Sequence, residues 1–145
     1  MKKFKSERGQ SLVELAISLV VILWLLAGAV EFGIAFFQQI QLRDAAQEGA
    51  LYGSLNPGAA NHSDIEARVK QASSSPIDLA NDPSVSINIE YPNGTCLVED
   101  GIRVTVSYPH KIFMPFGTLF TGGSSTILLK GVVEDTILTS TSTCP

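Results

Sequence analysis

From Leu15 to Val30 every position but Ser18 is apolar, and after Glu31 the run resumes through Phe37. These 23 residues make about 34 Å of helix at ~1.5 Å each, enough to cross a hydrocarbon layer of about 30 Å. No proline occurs between Gln10 and Asn56, so nothing in that stretch forces a helix to stop. Gln38, Gln39 and Gln41 read as the exit from the bilayer, and Leu42, Ala45, Ala46, Gly49, Ala50 and Gly53 recur beyond it at helical spacing. The pattern predicts one rod over Gln10–Gly53, 44 residues and about 66 Å long.

Beyond the rod the periodicity changes. Asn56-Pro57-Gly58 is turn chemistry, and Ser63-Asp64-Ile65-Glu66 reads as a capping box opening a short helix to about Ser73. Val85, Ile87, Ile89 and Tyr91 alternate with polar residues, as do Ile102, Val104, Val106 and Tyr108, and each set predicts a half-buried strand. Ser125–Asp135 is a third strand, interrupted by Gly131. The expected fold is α+β: a transmembrane helix continuing as a stalk, a short helix, and a small antiparallel sheet of about three strands. The expected divisions are a leader at 1–9, the transmembrane and stalk helix at 10–53, and an outer domain at 54–145.

Charge adds an orientation. The chain has 145 residues and a net charge of −4; Lys2, Lys3, Lys5 and Arg8 against Glu7 give the first nine residues +3, which leaves −7 for the rest. A basic leader ahead of the apolar run predicts a single-pass protein of the inner (cytoplasmic) membrane, with its N-terminus in the cytoplasm and its C-terminal domain outside. A nucleic-acid binder is disfavoured because the basic residues cluster in one leader and the bulk is acidic. Catalysis has little to rest on. There is no phosphate loop, serine elbow or metal-ligand cluster, and His62 and His110 read as surface or turn residues. No enzyme activity, cofactor, metal or small-molecule substrate is expected. Two other assignments fit the apolar run: an uncut signal anchor carrying an outer binding domain, and a secretory signal peptide cut after Ala29. Against the second, Glu14 abuts the apolar core and Val30–Phe37 leaves an oily new N-terminus.

The residues just upstream of the run are the sharpest signal. Gly9-Gln10-Ser11-Leu12-Val13-Glu14-Leu15 sets one acid at the mouth of a spanning helix, where a carboxylate costs a few kcal/mol. A cut after Gly9 makes Gln10 the N-terminus and places its ammonium about one turn from Glu14. Alternatively, Glu14 lies in the headgroup region, favoured by the helix N-terminus.

This stretch resembles the class III signal of type IV pilins. Together with Val30-Glu31-Phe32-Gly33 and Leu42-Arg43-Asp44-Ala45-Ala46-Gln47-Glu48-Gly49-Ala50 it is similar to the TadE-like proteins, minor pseudopilins of the tight-adherence (Tad, Flp) pilus system. The chain departs from that pattern at Gln47, where arginine is commoner. The resemblance implies cleavage by a prepilin peptidase between Gly9 and Gln10, an assembly role for Glu14, and other pilin subunits and an assembly platform as partners.

Four further features carry expectations. Ala45-x-x-x-Gly49-x-x-x-Gly53 and Ala29-x-x-x-Gly33 are small-residue stripes that suit either a partner helix or the chain's own sheet. Glu31 either reaches the headgroups or pairs with a neighbouring protein. Cys96 and Cys144 are the only cysteines, and outside the membrane they form either one bridge or two thiols. The oily segment Lys111–Phe120 caps the sheet, rests on the bilayer or touches a partner.

Overall fold

The computed structural model describes residues 8–58, 62–114, 117–119 and 121–139. The order is α1 (Arg8–Leu55), α2 (His62–Gln71), β1 (Ser86–Glu90), β2 (Gly101–Lys111), a single 3-10 turn at Gly117–Leu119, and β3 (Thr126–Thr136). The strands form one antiparallel sheet in the order β1-β2-β3. The expected α+β fold, its long helix and its three strands are all present. The short helix starts at His62, so Ser63 lies inside its first turn and does not precede it.

Helix α1 spans 48 residues, about 72 Å. Its first part, from Gly9 to Leu26, is exposed. From Glu31 onward one face turns inward at Glu31, Ala35, Gln38, Leu42, Ala45, Gly49 and Gly53, steps of three or four that keep a single stripe against the sheet. Strand β2 runs antiparallel alongside this stripe: Ile102 meets Gly53 at one end and His110 meets Glu31 and Gln38 at the other. From Ile102 to His110 the strand advances about 26 Å, between the ~22 Å of helix from Gly53 to Gln38 and the ~33 Å from Gly53 to Glu31, so the two elements keep pace.

The core consists of Leu42, Ala45, Ala46 and Ala50 of α1, Ile65 and Val69 of α2, Ile102, Val104 and Val106 of β2, with Ile77, Leu79, Cys96 and Ile137. Small residues set its depth. A Cβ on Gly131 of β3 would stand 2.4 Å from the Leu42 carbonyl, so the interrupting glycine marks where the helix backbone touches the sheet. On the same face, Cβ atoms on Gly49 and Gly53 would meet Val69 at 2.5 Å and Ile102 at 2.4 Å.

Polar contacts fix the helix to the domain along its length. Gln41 behaves like a strand neighbour to Ile77, donating to its carbonyl at 2.7 Å and accepting from its N–H at 3.1 Å. Gln39 donates to the Lys130 carbonyl at 2.6 Å. At the end of α1, the Leu138 N–H donates to Ser54 and the Thr139 hydroxyl to Leu55, satisfying carbonyls that a helix terminus leaves open.

The β1–β2 loop is organised by Asp100, whose carboxylate accepts from the Thr95 hydroxyl, the Asn93 amide at 3.1 Å and the Leu97 N–H at 3.2 Å. These donors, led by Thr95, hold the Asp100 carboxyl below the ordinary carboxylate range. Since the folded value is depressed, the loop's support is complete above the unfolded value and disappears as pH falls through the folded one. The Leu97 amide resonance is expected to move as pH drops below about 4, and Asp100→Asn should abolish that movement. For the helix–sheet contact, Gly131→Ala is expected to lower stability by about 1–3 kcal/mol, read as a lower thermal midpoint in detergent micelles.

Candidate functional site

Where α1 first meets the domain, three polar side chains close on one another. His110 lies on the inward face of β2, 2% exposed. Its Nε2 is 2.8 Å from Glu31 Oε1 and its Nδ1 is 2.6 Å from Gln38 Oε1. The second Glu31 oxygen accepts from the Phe113 N–H at 3.0 Å, and the Glu31 side chain is only 15% exposed. With Gln38 presenting its carbonyl, both ring nitrogens donate, and an imidazolium faces the carboxylate as an ion pair. With the amide turned over, Nδ1 accepts and the ring is neutral. Either arrangement satisfies every member, which a buried polar group requires.

The Glu31 carboxylate is met by its own chain at both oxygens. Gln38, Gln39 and Gln41, read as the exit from the bilayer, all bond to the domain. His110, expected on a surface or turn, was hidden by Pro109, which reads as a strand breaker. The alternation of Ile102, Val104, Val106 and Tyr108 simply continues to position 110. Pro109 is tolerated because even-numbered residues of this strand face β3, as the Ile112 N–H donating to Ser125 and the Asp100 carbonyl accepting from Ile137 show. The side lacking a proline N–H therefore faces β1, whose last pairing is Ser86 with Ser107.

The remaining candidates fall into two groups. Ala45, Gly49 and Gly53 are buried against α2 and the sheet, so this stripe packs the chain onto itself and is not open to a partner helix. Cys96 is buried and disulfide-bonded, while Cys144 lies outside the described residues. Gly9, Gln10 and Glu14 stand exposed on the bare start of α1, and the leader at 1–7 lies outside the described residues. Gln10 and Glu14 are four apart, hence neighbours on one helix face. Ala29 and Gly33 are exposed as well, and nothing lies within 4 Å of a Cβ on Gly33. Among the described residues no cluster of three or more His, Cys, Asp or Glu is placed to hold a metal ion.

A bare apolar helix, continuing without a break into an α+β domain folded upon it, defines a single-pass membrane protein. Residues 9–51 match the family model of the TadE-like proteins, pilus-associated and minor pilin-like, so the resemblance read from the sequence is borne out over that stretch. No curated protein and no solved structure matches the chain.

Removing one partner of the buried pair leaves the other uncompensated. His110→Leu is expected to cost about 3–5 kcal/mol of domain stability, and the double variant Glu31→Leu/His110→Leu should recover much of it. Thermal unfolding of all four forms in micelles measures the coupling.

Proposed function

We propose that this chain is a minor pilin-like subunit acting in assembly of a Tad/Flp-type surface pilus, after a prepilin peptidase cuts between Gly9 and Gln10. The observation that carries the proposal is where the family match begins: it opens at Gly9, the residue at which the basic leader gives way to the bare apolar helix. Cleavage there removes the +3 leader and leaves an ammonium on Gln10, one turn from Glu14. Glu14 then neutralises that ammonium or a neighbour's inside the bilayer, where an unpaired acid is costly.

Since Ala45, Gly49 and Gly53 are occupied within the chain, contacts with other pilin subunits and with the assembly platform fall to the exposed part of α1. There Ala29 and Gly33 allow close helix approach, and the stacked pair Phe32 and Phe36, 6.0 Å between centroids, flanks them. The domain stands on the extracytoplasmic side, opposite the basic leader. A bridge between Cys96 and Cys144 is part of the proposal and suits an oxidising compartment.

Mass spectrometry of the mature protein tests the reading directly. Gln10 as first residue is the expected result; Val30 first would mean secretion, and an intact Met1 an ordinary anchor. Gly9→Ala should block processing and pilus formation together. Glu14→Gln should impair assembly while leaving membrane insertion intact, and equal loss of both would sink the salt-bridge role.

A further inference from the structure

The end of the sheet that meets α1 lies beside the apolar run of the helix. The β2–β3 connection packs against the apolar run of the helix itself: Leu23, Leu26, Val30 and Ile34 line one groove with Phe113 and Met114. A Cβ on Gly28 would stand 3.2 Å from the Met114 sulfur. Counted from Leu15, Leu23 is about 12 Å along the helix and Ile34 about 28 Å, both within the span of a ~30 Å hydrocarbon layer. The connection also turns apolar side chains outward. Phe113 is 75% exposed and Leu119 76%, with Ile127 and Leu128 exposed beside them.

Composition points the same way. Although the chain is acidic overall, no Asp or Glu occurs from Lys111 to Val133, and the only charges there are Lys111 and Lys130. Lys111 is the last residue of β2, at the tip, and Lys130 pairs with Ser107, four positions further from it. A lysine beside an apolar layer can keep its stem in apolar surroundings and extend its ammonium group to the polar boundary. An exposed apolar tip on a water-facing domain would be a liability, but here it continues the lipid-facing surface of α1.

We infer that the β2–β3 tip of this domain is immersed in the lipid leaflet beside α1, with Phe113, Leu119, Ile127 and Leu128 in contact with acyl chains. The domain thus holds the bilayer at two places, the spanning helix and the tip. Immersion also explains why the Glu31 carboxylate is sealed by His110 and the Phe113 N–H: it lies at a depth where water is scarce. The inference depends on α1 crossing the membrane and is independent of processing and of any pilus role.

Depth-dependent fluorescence quenching tests it on the full chain in phosphatidylcholine vesicles. Trp24 is the only tryptophan, so Trp24→Phe gives a silent background. In that background Leu119→Trp, and separately Leu128→Trp, introduce a reporter at the tip, while Asn93→Trp places one in the β1–β2 loop at the opposite end. With lipid brominated near the headgroup end of the acyl chains, each tip reporter should lose more than half its emission and be blue-shifted, while the Asn93→Trp reporter stays unquenched. Tip reporters unquenched in vesicles that do quench native Trp24 would overturn the proposal. So would tip emission that follows the protein-to-lipid ratio without quenching, because a second copy would then be covering the tip. Circular dichroism matching the parent confirms that each reporter variant is folded.

Discussion

Because α1 is continuous from Arg8 to Leu55, whatever clamps its second half into the domain also sets where its first half emerges. That clamp is a close approach of backbones. Gly131 admits the Leu42 carbonyl to the surface of the sheet, and Gly49 and Gly53 let α2 and β2 close in from the side. Small residues remove little apolar area, so their contribution lies in the fit they allow for Val69, Ile65 and Ile102. Polar contacts then fix the helix lengthwise: Gln41 on Ile77, Gln39 on Lys130, and the helix-end carbonyls on Leu138 and Thr139.

The same continuity explains the pairing of Glu31. An acid interrupting an apolar run at this depth needs a donor, and the domain delivers two, from the side chain of His110 and the backbone of Phe113. The pair lies at the point where the sheet ends and the lipid-facing part of the helix begins. It serves as a polar seal between two apolar environments, and its members come from opposite ends of the sequence.

Local pattern made much of this legible. The proline-free apolar run and its small-residue continuation gave the long helix, and period-two alternation gave β1 and β2. The TadE-like segments were readable because they lie in the helix, where short-range spacing carries the information. What the sequence did not yield were pairings across long separations. Nothing near Glu31 announces a partner 79 positions away, and three glutamines look the same whether they meet water or a strand. Pro109 concealed His110 because tolerance of a proline depends on which neighbouring strand has already ended, a property of the sheet and not of the strand. Gly131 was visible as an interruption, but its cause lies on the helix packed above it.

The matched lengths of α1 and β2 have a mechanical side. The stripe from Glu31 to Gly53 lies along the strand instead of crossing it, and its fastenings are spread over the whole overlap. A pull directed along the helix axis therefore loads these fastenings in shear and all together. A force across the axis would open them one after another from either end. The domain is built to follow its stalk when the stalk is hauled lengthwise, and to yield far more readily when it is levered sideways.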